Sequence, residues 1–168
     1  MMHTDFLFAV AEVGATYAGF STLVAVVAYR MGGGPIPARI YYMLLHSLMV
    51  VSFAFVPAVI QFYGAAELMA WKIASILYAL VWISYFVTSR WRMSRSVQFD
   101  FSSMTLQNKL NANVIQPIAI GALLLSGLGV WGQLVGAVYT TALFLNLYFS
   151  AFLFLQIVAG ILGEKIKA

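Results

Sequence analysis

Residues Phe6–Tyr29 read FLFAVAEVGATYAGFSTLVAVVAY, a run with one carboxylate, Glu12, and no basic side chain. An α-helix rises about 1.5 Å per residue and the hydrocarbon core of a bilayer is about 30 Å thick, so about 20 apolar residues cross it. The run has the length and composition of a span. It follows Met1-Met2-His3-Thr4-Asp5, which lacks the basic segment of a cleavable signal peptide, so a retained first span is expected.

Four more apolar blocks follow: Ile40–Tyr63, Leu68–Thr88, Val114–Trp131 and Leu134–Leu162. Hydrophobic residues make up 63% of the chain and charged ones 8%, where a soluble domain carries roughly 25% charged residues. The pattern predicts an all-α membrane protein, one transmembrane domain over residues 1–168. Its spans fall at about 6–29, 40–63, 68–88, 114–131 and 134–162, with one sizeable loop, 89–113. The fourth block is the shortest, at 18 residues, contains Gly121, Gly127 and Gly129, and could begin a turn earlier at Asn111 or Asn113. So little chain lies outside these blocks that neither a soluble catalytic domain nor a nucleic-acid-binding module has room.

With five spans, Arg30, Arg39, Arg90, Arg92, Arg95, Lys109, Lys165 and Lys167 all fall on one side, and Lys72 alone sits inside a block. The positive-inside rule then puts the N-terminus outside and the C-terminus in the cytoplasm. Tyr29, Tyr41, Tyr42 and Trp91 mark the inner boundary, and Tyr63, Trp71 and Trp131 the outer one. Gly32-Gly33-Gly34-Pro35-Ile36-Pro37 cannot continue a helix and predicts a tight inner turn. In the 89–113 loop, Arg90, Arg92 and Arg95 beside Trp91, Phe99, Phe101, Met104 and Leu106 fit an interfacial helix or a continuation of the third helix into the headgroups. These three arginines are candidate lipid-headgroup contacts, and positive-inside anchoring alone also accounts for them.

Ionisable groups inside a span cost about 2.5–3.5 kcal/mol on insertion scales, so Glu12, His46 and Lys72 each need a partner or a use. Counted from the ends of their blocks, Glu12 and Lys72 share the outer leaflet, which makes an ion pair between them an expectation. Helical periodicity sets Asp5, Glu12, Ala15, Thr16 and Gly19 on one stripe of small and polar residues, so Ala15 and Gly19 are a candidate helix-packing face against another helix or another subunit. His46 and Gln156 lie equally far from the inner ends of their blocks, so Gln156, or Gln116, is the expected partner of His46. Asn146 shares a face with Tyr139, Ala142 and Ser150 and could bridge helices or serve as an intermediate between Glu12 and His46, whose depths differ by about 12 Å on this count. Trp71, Tyr78 and Tyr85 recur every seven residues, as helix packing or a lipid-facing ridge would.

There is no cysteine, two histidines cannot alone furnish an all-protein zinc or haem site, and no nucleophile–base–orienter set, HExxH or phosphate loop is present. No catalytic residue, cofactor or metal is therefore expected, and the protein is not read as an enzyme.

Glu12, Ala18-Gly19-Phe20, Arg30, Arg39, Met43, Leu44, Ser47, Pro57, Trp71-Lys72 and Ser75 resemble the pattern of a group of small bacterial polytopic membrane proteins whose first span carries Glu and then Ala-Gly-Phe. The resemblance covers roughly the first half of the chain. It implies a multi-pass protein of the bacterial inner membrane and carries no activity with it. Two functions are expected on the residues: an oligomeric ion or proton channel or transport protein using Glu12, Lys72 and His46, or a non-catalytic membrane subunit in which Glu12 and Lys72 form a structural pair. Its partners would be membrane lipid and either its own copies or another membrane protein, with no nucleic acid.

Overall fold

Apolar runs become helices wherever the computed structural model describes the chain, over residues 2–32, 38–95 and 110–165, even across Pro57 inside the second run. The helices are α1 (Met2–Gly32), α2 (Ala38–Phe62), α3 (Glu67–Arg95), α4 (Gln116–Gly127) and α5 (Val135–Lys165). A π-helical turn, Asn111–Ile115, leads into α4, and a single 3-10 turn, Gly132–Leu134, leads into α5. Among the described residues there is no strand. The segments Asp5–Val27, Ile40–Phe62, Glu67–Trp91 and Gly132–Ala159 are long and apolar enough to cross a membrane, while Asn113–Gly127 is a shorter apolar helix. The sequence boundaries shift accordingly: α3 runs on to Arg95, so Arg90, Arg92 and Arg95 continue the third helix. The expected turn at 33–37 and the apolar residues Phe99, Phe101, Met104 and Leu106 lie outside the described residues.

Glycine ends two of these helices. Beyond α2, Gly64 takes φ +90° and its amide closes on the Gln61 carbonyl. Beyond α4, Gly129 takes φ +87°; its N–H bonds to the Ser126 carbonyl at 2.9 Å, and Val130 N–H bonds to the Leu125 carbonyl at 3.0 Å. That paired closure satisfies carbonyls that a helix end leaves over, and it needs a residue without Cβ at the left-handed position.

The chain divides into two compact units, Met1–Val59 with Leu143–Ala168, and Ile60–Ala142. In the first unit, Phe8 meets Phe55, and a Cβ on Gly14 would meet Val50 and Val51, so α1 and α2 are antiparallel. Phe6 meets Phe144, while Tyr17 and Phe20 both meet Phe154, so α1 and α5 run in the same direction. The side of α1 that is buried carries Leu7, Val10, Ala11, Gly14 and Ser21.

In the second unit, α3 and α4 are antiparallel: Arg90 bonds to Asn113 at one end, and Lys72 lies beside Gly129 at the other. The two helices come close at Gly127, where a Cβ would come within 2.3 Å of Ile76 Cγ1 and 3.3 Å of the Lys72 carbonyl oxygen. The buried side of α4 carries Ala119, Ile120, Leu123 and Ser126. Between α3 and the start of α5, Trp71, Tyr139, Tyr78 and Trp82 form a buried chain of rings with centroids 5.6, 5.7 and 5.4 Å apart.

Candidate functional site

The most concentrated buried polar group lies in the first unit, between α2 and α5. His46 Nδ1 is hydrogen-bonded to Asn146 Oδ1, and the imidazole also packs against the Phe149 ring at 5.8 Å. One turn away, Ser47 Oγ donates to Ser150 Oγ at 3.0 Å, and Ser150 Oγ donates to the Met43 carbonyl at 3.2 Å, an oxygen Ser47 Oγ also reaches at 2.9 Å. All four side chains are buried. In a dry interior, each polar atom left unmatched costs about 1–3 kcal/mol, so these bonds fix the register of α2 against α5.

The partner found for His46 is therefore Asn146. Block ends misjudged the level because α5 extends 19 residues beyond Asn146 to Lys165, whereas α2 begins only eight residues before His46. Gln156 is half-buried, ten residues further along α5, a rise of about 15 Å from Asn146. The Asn146 face that periodicity picks out is buried throughout, at Tyr139, Ala142, Asn146 and Ser150. Ser47 and Ser150 are the site members that sequence reading leaves unpaired, since serine is common in spans and only the register brings these two together.

Glu12 occupies the opposite situation. The buried residues of α1 lie on the far side of the helix from it, and Asp5, Glu12, Ala15, Thr16 and Gly19 are all exposed. A Cβ built on Gly19 meets nothing within 4 Å. Inside the chain, the glycine of close approach is Gly14, whose Cβ would lie 3.1 Å from Val50 Cγ1 and Val51 Cγ2. Ala15 and Gly19 thus lie on the exposed side of α1 rather than in the interior of the described chain.

Phe8 is level with Phe55, and Gly14 with Val50 and Val51, so Glu12 falls level with about Val51 of α2. Within the apolar segment of its own helix, Asp5–Val27, Glu12 stands seven residues, about 10 Å, from the first residue.

Lys72 belongs to the second unit and Glu12 to the first. Within its own unit, Lys72 directs its ammonium at the end of α4: a Cβ on Gly129 would be 2.9 Å from Nζ. A cation beside the last carbonyls of a helix is favoured by the helix dipole. At the far end of the same pair of helices, the Arg90 guanidinium donates from Nη2 to Asn113 Oδ1 and lies over the Phe86 ring, 5.1 Å from its centroid. Arg92 and Arg95 are on the α3 backbone, and the placement of their side chains lies outside what is described. No group of histidine, aspartate or glutamate side chains able to hold a metal occurs among the described residues.

Comparisons with known proteins find no matching family model, no matching curated protein and no matching solved structure. The reading of these sites therefore rests on their geometry.

Proposed function

We propose that this is a five-span membrane protein, N-terminus outside and C-terminus inside, that assembles through the Glu12 face of α1 and carries protons or small cations along that face. One observation carries the proposal: a carboxylate stands inside the apolar segment Asp5–Val27, on the side of α1 that the chain leaves exposed. Against lipid, such a group costs about 2.5–3.5 kcal/mol, and the exposed small residues Ala15 and Gly19 let a second helix approach and cover it. Copies gathered around an axis would turn the same face toward a shared path, with Asp5 two turns above Glu12.

The direction of the helices supports five crossings although only four segments are long by themselves. Because α1 and α5 run the same way, an odd number of crossings must separate them; α2, α3 and α4 supply three, whereas a re-entrant α4 would leave two and reverse α5. Measured along α3 from Lys72 to Arg90, the stretch that α4 and its π turn lie against is about 27 Å long, close to the hydrocarbon thickness. The distribution of lysine and arginine then supports a cytoplasmic C-terminus, in a bacterial inner membrane if the resemblance of the first span holds.

A second reading, a non-catalytic subunit, draws on the same exposed stripe and on the completeness of the His46–Asn146 site, which holds helices without needing to titrate. Proteoliposome flux separates the two. Proton or monovalent-cation flux is expected from the wild type and its loss from Glu12→Gln. A wild type that reconstitutes as an oligomer and passes no ion supports the subunit reading instead.

A further inference from the structure

We infer that the exposed side of the α1–α2 pair docks a second copy of this chain, with the Ser52 hydroxyl of each copy donating to the Glu12 carboxylate of the other. The inference rests on the proposed assembly through the Glu12 face and is independent of ion transport. Its basis is a level shared by two helices. Phe8 meets Phe55, and a Cβ on Gly14 would meet Val50 and Val51, so the residues of α2 at the height of Glu12 are Val51 and Ser52. At 1.5 Å per residue, Glu12 and Ser52 differ in height by about 1.5 Å.

The two residues also share a side. The Phe8 and Phe55 rings meet while both stay exposed, which marks one open side of the helix pair. Glu12 lies one turn from Phe8 and Ser52 one turn from Phe55, each on that side and each exposed. Between Ile40 and Val59 the other exposed residues of α2 are Tyr41, Leu48, Phe55 and Val59, so the one aliphatic hydroxyl exposed there stands level with the one carboxylate of Phe6–Tyr29. Ser21, Ser47, Ser75 and Ser84 each return the hydroxyl to the carbonyl four residues back. Among the described residues Ser52 makes no such bond, so its proton is available to an acceptor outside the helix.

A second copy is the occupant this arrangement fits. Copies inserted with the same topology close around an axis along the bilayer normal, so groups that face each other across it lie at equal depth. Glu12 and Ser52 meet that condition. A two-fold axis then pairs each hydroxyl with the other copy's carboxylate, reciprocally, as an isologous contact requires, whereas Glu12 against Glu12 would set like charges together. A lipid tail offers the carboxylate no donor. Two turns along α1, a Cβ on Gly19 meets nothing within 4 Å, which leaves room for the approaching helix.

The chain has no cysteine, so introduced thiols are the only ones present. Full-length Glu12→Cys and Ser52→Cys chains with different tags are co-expressed, reconstituted in phospholipid vesicles and oxidised. A mixed dimer of the two keeps one native Ser52–Glu12 pair and places both thiols at the other. The mixed disulfide is expected at several times the yield of either homodisulfide, and Glu12→Cys with Leu80→Cys, a position exposed on α3, is expected to give none. In the otherwise native protein, Ser52→Ala should raise the dimer dissociation constant about eightfold, the loss of two hydrogen bonds of the size usual between membrane helices, and Ser52→Thr should not. That measurement also serves if a cysteine variant fails to fold. An oligomer whose mixed disulfide is no more abundant than the Leu80 control, or whose dissociation constant ignores Ser52→Ala, overturns the inference and leaves assembly through α1 standing. A monomeric wild type overturns both. The mixed disulfide in a protein that passes no ion supports the inference and removes only transport from the proposed function.

Discussion

The two units solve the same packing problem with different chemistry. Around His46, the first unit joins α2 to α5 by hydrogen bonds from His46, Ser47 and Ser150. Around Tyr78, the second unit joins α3 to α4 and α5 by aromatic stacking and a glycine contact, and it leaves the buried Trp82 Nε1 without a hydrogen-bond partner. Rings and glycines supply contact area but tolerate sliding, while a directed hydrogen bond in a dry interior is lost if a helix shifts by one residue. We therefore expect the second unit to be more sensitive to volume and the first to be more sensitive to polarity.

Gly127→Leu should show the largest effect. Even one added carbon would lie 2.3 Å from Ile76 Cγ1, with the Lys72 carbonyl close behind, and overpacking of this kind costs about 3 kcal/mol at the upper end of its range. Unfolding in a denaturing-detergent titration measures it, with Gly121→Leu as control, since a Cβ there meets nothing within 4 Å. Equal effects at the two glycines would break the comparison. Gly14→Leu comes next, at about 2 kcal/mol, because its nearest neighbours, Val50 Cγ1 and Val51 Cγ2, stand at 3.1 Å rather than 2.3 Å.

Polarity in the first unit should weigh less per residue. Asn146→Leu, with the same branching and number of side-chain heavy atoms, removes the amide oxygen that His46 Nδ1 bonds and is expected to cost about 1–2 kcal/mol; Ser150→Ala should cost about 0.6 kcal/mol, near the mean for hydrogen bonds between membrane helices. A stabilising Asn146→Leu would show that the site is kept for something other than holding helices. The smallest effect on the fold is expected from Gly19→Leu, within about 0.5 kcal/mol, because that surface is exposed. The same change should abolish the oligomer in cross-linking or light scattering. A wild-type oligomer in Gly19→Leu removes the α1 face from the assembly.

How much of this was legible in the sequence follows from what a linear pattern contains. Span length and hydropathy gave the five helices, and periodicity grouped Asn146 with Ser150, because both properties belong to a single helix. Which stripe of α1 turns inward did not follow: Ala11, Gly14 and Ala18 on one side and Ala15 and Gly19 on the other are equally small, and the choice lies with Val50 and Val51 on a different helix. The partner of His46 was misread for the same reason. The start of an apolar run does not mark where a helix begins or how far it slides past its neighbour, so His46 was matched to Gln156 rather than Asn146.

The parallel packing of α1 with α5 also sets an order of biosynthesis. Unit two is one continuous stretch, Ile60–Ala142, and can close as soon as it has left the ribosome; unit one needs both the first helix and the last. Translation at about 5–20 residues per second keeps α1 waiting for α5 for on the order of ten seconds. Throughout that interval Phe6, Tyr17 and Phe20 lack the rings of α5 that they meet in the folded chain, Phe144 and Phe154. The nascent chain is thus exposed to capture by an insertion chaperone, or to pairing with the first helix of a neighbouring chain, before its own last helix arrives.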